Sequence, residues 1–346
     1  MKIFVAVSVF FCVISCKKKE ENRFYPVNDV TVQVLYEDSV SIRAIALSDK
    51  NVAFAGTDGK FGLYNSTSQN TRVNIQFYDT ITPDFRAVAF TSNDFFMISI
   101  ENPALIYKTG NDGNMQLVYK EEHEKVFYDA MLFWNDREGM AIGDPTNGCL
   151  SIIITRDGGN SWKKLDCSVL PETAEGEAAF AASNSNIAMV GEYAWVASGG
   201  VKSRVFFTPD KGKSWEVFGT PIIQGSATKG MYSIDFYDKK RGVAIGGDYT
   251  DPENNERNKI ITDDGGRTWK LIAKGTGPGY KSCVQYIPGS NAQKMVAVGF
   301  TGISVSNDGG NHWKHLSDEG FYTLRFLNDS VAYAAGKGRL AKLTFK

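Results

Sequence analysis

The segment T-R-D-G-G-N-S-W at Thr155–Trp162 returns three times: T-P-D-K-G-K-S-W at Thr208–Trp215, T-D-D-G-G-R-T-W at Thr262–Trp269 and S-N-D-G-G-N-H-W at Ser306–Trp313. A turn repeated this way commits a chain to a repeat architecture, in which each unit buries its face on the next. Ile152-Ile153-Ile154 precedes the first copy and Lys163-Lys164-Leu165 follows it. Short β-branched and apolar runs around a Gly-bearing loop read as a β-hairpin. Asp157, Asp210, Asp264 and Asp308 each carry a short carboxylate that can accept from N–H groups inside the loop. Gly159, Gly212, Gly266 and Gly310 stand where positive φ is needed. Trp162, Trp215, Trp269 and Trp313 are large enough to clasp each hairpin to its neighbour.

A second element recurs upstream of these turns: an apolar strand, a polar turn, then a strand ending in Ala/Val-x-Gly. Its clearest copies are Tyr232 to Gly247 and Asp129 to Asp144, and fainter ones begin at Arg43, Arg86, Glu177, Ser282 and Tyr322. Starts spaced roughly 40 to 55 residues apart match the period of a four-stranded propeller blade. The copy at Tyr322 leaves room for three strands only, whereas Thr31–Tyr36 alternates as a strand with no blade of its own. The expected fold is therefore all-β: a seven-bladed β-propeller of four-stranded antiparallel blades over residues 30–346, its ring closed by that N-terminal strand.

Charge narrows the partners. Lys and Arg total 38 against 39 Asp and Glu, and the only basic block is Lys17–Lys19, so nucleic-acid binding has no electrostatic support. No Cys/His spacing suits a metal, no cofactor fingerprint is present, and a monomer without metal or cofactor is expected. Cys149 lies nine residues before Gly158 and Cys167 nine after it. In simple register they would face each other about 4.5–5.5 Å apart between Cα atoms and form a disulfide. A one-residue slip would turn them to opposite faces as reduced thiols. Cys283, on an inner strand, is expected to be a buried free thiol.

The start of the chain reads as an address. Residues 1–15 have one early Lys and an apolar stretch too short to span a bilayer, so they are expected to be a signal peptide. V-I-S-C at Val13–Cys16 resembles a bacterial lipobox, which implies lipid on Cys16. Residues 16–29 then form a charged tether. The resemblance implies an exported protein anchored to the outer membrane, periplasmic or surface-exposed.

The pattern S/T-x-D-x-G-x-x-W resembles the Asp box, or bacterial neuraminidase (BNR) repeat, whose aspartates are structural. G-x-A-I-G followed by I-I-T-x-D-G-G-x-T-W is similar to the repeat of photosystem II stability and assembly factors and their non-photosynthetic bacterial relatives. That family implies a binding or assembly scaffold rather than a catalyst, here with an envelope protein or a glycan as partner. In a propeller, inner-strand starts and the loops after second strands meet at one channel mouth. The ligand-binding candidates there are Arg43, Arg86, Glu101, Asp129, Asp144, Glu177, Glu192, Tyr232, Asp248 and Tyr322. The alternative is a sialidase-like glycoside hydrolase using the same mouth. It would need three converging arginines, a Tyr nucleophile with a Glu partner and an Asp acid; Arg43, Arg86, Tyr322, Glu177 and Asp129 sketch part of that set, but a third channel arginine is not evident and no catalytic residues are assigned.

Overall fold

The computed structural model describes Met1 and residues 25–110 and 112–346. Cys16 and the expected leader after Met1 lie outside the described residues.

Backbone hydrogen bonds organise the described residues into six antiparallel sheets, four of them four-stranded and two six-stranded. The expected seven blades are thereby corrected to six. The groups that start at Arg43 and Tyr322 belong to one wide sheet, Thr323–Phe326, Val331–Phe345, Val30–Leu47, Asn51–Gly56, Lys60–Asn65 and Asn70–Ile75. The reason lies in two long strands. Val30–Leu47 pairs with Val331–Phe345 from Val30 to Ser41, then with Asn51–Gly56 from Ile42 to Leu47. Counting strand starts in the sequence treats those two stretches as separate units, whereas the ladder runs on through both. Thr31–Tyr36 does lie beside the C-terminal strand, with Val32 opposite Leu343 and Tyr36 opposite Leu340.

The other wide sheet has a different origin. Lys229–Phe236, Gly242–Asp248, Lys259–Thr262 and Lys270–Leu271 form its body, and the short strands Glu177–Ala178 and Gly199–Gly200 are added at the inner edge. Glu177 is therefore not the start of an inner blade strand. The inner strand of the neighbouring sheet is Ile187–Val190, paired with Tyr193–Ala197.

Central strands are buried on both faces, so their sequences run continuously apolar rather than alternating. Ser151–Thr155 (S-I-I-I-T) and Gly139–Gly143 (G-M-A-I-G) are buried at every position. Apolar clusters fill the seams between successive sheets. One seam joins Phe96 and Ile98 to Met131 and Ile153, and the next joins Ile142 and Ile154 to Val196 and Phe206. The closing seam joins Val296 and Val298 to Leu324 and Leu343. A further cluster of Ile42, Phe54, Tyr333 and Leu340 lies between the two wings of the wide sheet, where its ladder shifts register between Glu37 and Ser41.

The four repeated turns share one hydrogen-bond pattern. In the first, Thr155 Oγ1 accepts from Gly159 N–H at 2.8 Å and donates to Asp157 Oδ1 at 2.9 Å, and Ser161 Oγ donates to Asp157 Oδ2 at 2.7 Å. Thr262, Asp264, Gly266 and Thr268 repeat it. Each turn docks on the preceding sheet. Gly159, at φ 77°, lies so close to Phe96 that a Cβ would sit 2.2 Å from the ring. Trp195 Nε1 donates to Gly265 O at 2.8 Å across a similar seam.

Cys149 and Cys167 are joined by a disulfide, with Cα atoms 5.6 Å apart. They are not a ladder pair. Ile153 opposes Lys164 and Ile154 opposes Lys163; carried outward, that register would set Leu150 opposite Cys167. Both cysteines have left the ladder, Cys149 into an isolated bridge with Glu172 and Cys167 into the 3-10 turn Cys167–Val169. Cys283 is free and buried.

Candidate functional site

The central channel is stopped by the chain itself. Between Glu177–Ala178 and Ile187–Val190 the sequence turns polar, A-A-S-N-S-N at Ala181–Asn186. Ser183, Asn184, Ser185 and Asn186 are all buried, and three of them bond to inner strands around the ring. Asn184 Nδ2 donates to Val88 O and its Oδ1 accepts from Met131 N–H, both at 2.8 Å. Ser185 Oγ donates to Ser233 Oγ at 2.8 Å and Ser183 Oγ to Ser282 O at 2.7 Å. Thr323 and Arg325 donate to Ser183 O, closing the circuit. Backbone this deep in a protein needs partners, and the short polar side chains let the plug be hydrogen-bonded to five inner strands.

Above the plug is a bowl of about 580 Å³. Six of the sequence-derived candidates line it: Arg43, Arg86, Asp129, Asp144, Tyr232 and Tyr322. Four do not. Glu177 is buried in an ion pair, its carboxylate accepting Arg204 Nε at 3.0 and 3.1 Å as well as Arg204 Nη2. Glu192 lies in the turn after the true inner strand and faces Lys211 at the other end of the sheet. Glu101 is exposed at φ 69° in the turn before Ala104–Thr109. Asp248 is turned onto Thr250, accepting from its N–H at 2.9 Å and its hydroxyl at 2.6 Å.

The sequence reading missed the aromatic wall. Phe127, Phe180, Tyr249, Tyr280 and Phe300 also line the bowl. Phe180 stacks on Tyr232 with centroids 4.2 Å apart, and Tyr232 meets Tyr280 edge-on at 4.9 Å. Tyr249 and Phe300 form the rim at 49% and 46% exposure, large for such rings. Tyr249 and Phe300 each directly follow a second strand, at Asp248 and Gly299. An aromatic at that repeated position was the available signal.

Two arginines and two acids share the bowl. Arg43 lies over the Tyr322 ring at 4.2 Å, and Arg86 Nη1 donates to Ala181 O at 3.3 Å. Asp129 has no exposed surface, and among the described residues neither of its oxygens has a hydrogen-bond partner; Arg43 Nε is likewise buried and without a partner among them. Burial, then the neighbouring Asp144 carboxylate, push the Asp129 carboxyl well above its ordinary value, with Arg86 opposing. Burial pushes Asp144 up to about 6 against the bond it accepts from Ala179 N–H at 2.8 Å. Burial, and then Arg43, lower the proton affinity of Arg86. Among the described residues no group of three or more His, Cys, Asp and Glu could hold a metal ion.

These features define a ring of antiparallel blade sheets with a plugged channel and a polar-aromatic bowl at one mouth, which is the β-propeller class. Solved structures of that class resemble it over nearly their whole length. One is described as YCF48 bound to D1 peptide, with TM-score 0.66 and 12% identity over 92% of this chain and 96% of that one. YCF48 from Cyanidioschyzon merolae gives 0.65 and 14% over 90% and 98%. The RRP9 WD40 repeats give 0.64 and 12% over 91% and 97%. At these identities the likeness is one of fold. No family model and no curated protein matches the sequence.

Proposed function

We propose that this chain is a binding or assembly-scaffold protein of the cell envelope that receives a segment of its partner in the bowl. The observation that carries the reading is a concave floor with buried, unpartnered polar atoms beneath an exposed aromatic rim. Burying polar groups without partners costs stability, and a bound segment would repay that cost. The peptide named with one YCF48 structure supports the same mode of use. The repeated turns, read as Asp boxes, serve as clasps between sheets. A lipid on Cys16 would hold the ring at a membrane. The hydrolase alternative would need a Glu free to assist a Tyr, and Glu177, the Glu among its candidate residues, is committed to Arg204.

The test is capture from detergent-solubilised native envelopes on the immobilised domain. Tyr249→Ser combined with Phe300→Ser, both at exposed positions, should abolish capture while leaving the thermal melt unchanged. Equal capture by the double variant would remove the bowl as the binding surface. Cys16→Ser should move the full chain out of the membrane fraction, and unchanged fractionation would refute the anchor.

A further inference from the structure

Three of the buried polar side-chain atoms that have no hydrogen-bond partner among the described residues belong to this one bowl: Asp129 Oδ1, Asp129 Oδ2 and Arg43 Nε. Two belong to a carboxyl group, both acceptors once it is ionised, and one is a donor. A ligand that completes all three must bring a donor, or a cation, to the Asp129 side and an acceptor to the Arg43 side.

The aromatic wall narrows the choice further. Tyr232, Tyr249 and Tyr280 are mutually near-perpendicular, at 83°, 89° and 75°, with centroids 4.9 to 6.4 Å apart. A sugar ring stacks on a flat platform, whereas perpendicular rings form a corner. A cation is attracted to any ring face within about 6 Å. Rings as close as these can share one.

We propose that the bowl recognises a basic side chain on an extended peptide segment, the cation held by Asp129 and Asp144 beside the tyrosine corner and an adjoining backbone carbonyl accepting from Arg43 Nε. This rests on the binding function argued above and adds the chemistry of the partner. The arginines do not forbid a cation. Arg86 is engaged by the Ala181 carbonyl and Arg43 is spread over Tyr322. Asp84, Asp129 and Glu101 act on Arg86 with opposite charge. Without a ligand, burial leaves Asp129 poorly disposed to ionise; a cation would reverse that preference.

The experiment uses mixtures of pentapeptides with blocked termini, randomised flanks and a fixed central Lys, norleucine or Glu, passed over the immobilised domain. The Lys mixture should be retained at least tenfold more than the norleucine mixture. That preference should vanish in Asp129→Asn combined with Asp144→Asn, whose fold is checked by its melt. Equal retention of Lys and norleucine mixtures, lost in the Tyr249→Ser, Phe300→Ser variant, would overturn the cation and leave the binding bowl standing. Preferred retention of the Glu mixture would overturn it too. No retention of any mixture, together with unimpaired envelope capture by the rim variant, would overturn both readings.

Discussion

The side-chain amide of Asn184 reaches the Val88 carbonyl at 2.8 Å while its oxygen holds the Met131 N–H, so one plug residue ties together two inner strands far apart in sequence. It does so at φ 54°, a conformation that Asn tolerates better than most residues. Asn184→Ala would leave a buried carbonyl and a buried N–H unpaired and add backbone strain. A loss of about 2–4 kcal/mol is expected in urea unfolding. Asn184→Gly should lose somewhat less, because the strain is relieved. Alanine and wild type melting together would mean the plug does not brace the ring.

Trp269 is the most buried of the four clasp tryptophans, and its Nε1 donates to Gly266 O at 2.9 Å. Its ring meets Phe236 edge-on at 6.0 Å inside the seam with Trp195. Trp269→Ala should cost about 3–5 kcal/mol. Trp215 is only partly buried, so Trp215→Ala should cost clearly less. Chemical denaturation of both variants checks the order.

The bowl acids make stability depend on pH with a definite sign. Asp144 titrates at about 6 in the folded chain against an ordinary carboxylate value near 3.8. The folded state therefore binds more protons across that window, and stability falls as pH rises through it. Asp144→Asn should match wild type near pH 4 and exceed it near pH 7, by on the order of 1–3 kcal/mol. Melts at the two pH values decide this. A variant advantage that is the same at both would separate the effect from ionisation.

The Cys149–Cys167 bond closes a loop with a sequence separation of 18. Chain-entropy reasoning assigns it about 3 kcal/mol. Reduction, or Cys149→Ser with Cys167→Ser, should lower the free energy of unfolding by that amount in denaturant titrations. Alkylation of the unfolded domain without reductant should label Cys283 alone, and labelling of all three cysteines would contradict the bond.

Local chemistry was legible in the sequence. The turns around Asp157, Asp210, Asp264 and Asp308 follow from short-range side-chain-to-backbone bonding, which needs no tertiary context. The inner-strand starts at Arg43, Arg86, Asp129, Tyr232 and Tyr322 followed from the repeat, and they do meet at one mouth. Long-range pairing decided the rest. Whether Val30–Leu47 ends a blade or runs through into the next depends on hydrogen bonds to residues some three hundred positions away, and that choice made six sheets of an expected seven. Glu177 and Glu192 were misplaced because A-M-V-G at Ala188–Gly191 reads equally well as a first or a second strand, and only pairing with Tyr193–Ala197 separates the two. The plug was invisible for a related reason. A-A-S-N-S-N has no periodicity of its own, and its burial is set by the inner strands that surround it. Sequence determined the repeating hairpins, because their forces act over a few residues. Tertiary structure alone decided the blade count, the floor of the bowl and which acids are left there without partners, because those depend on what the ring brings together.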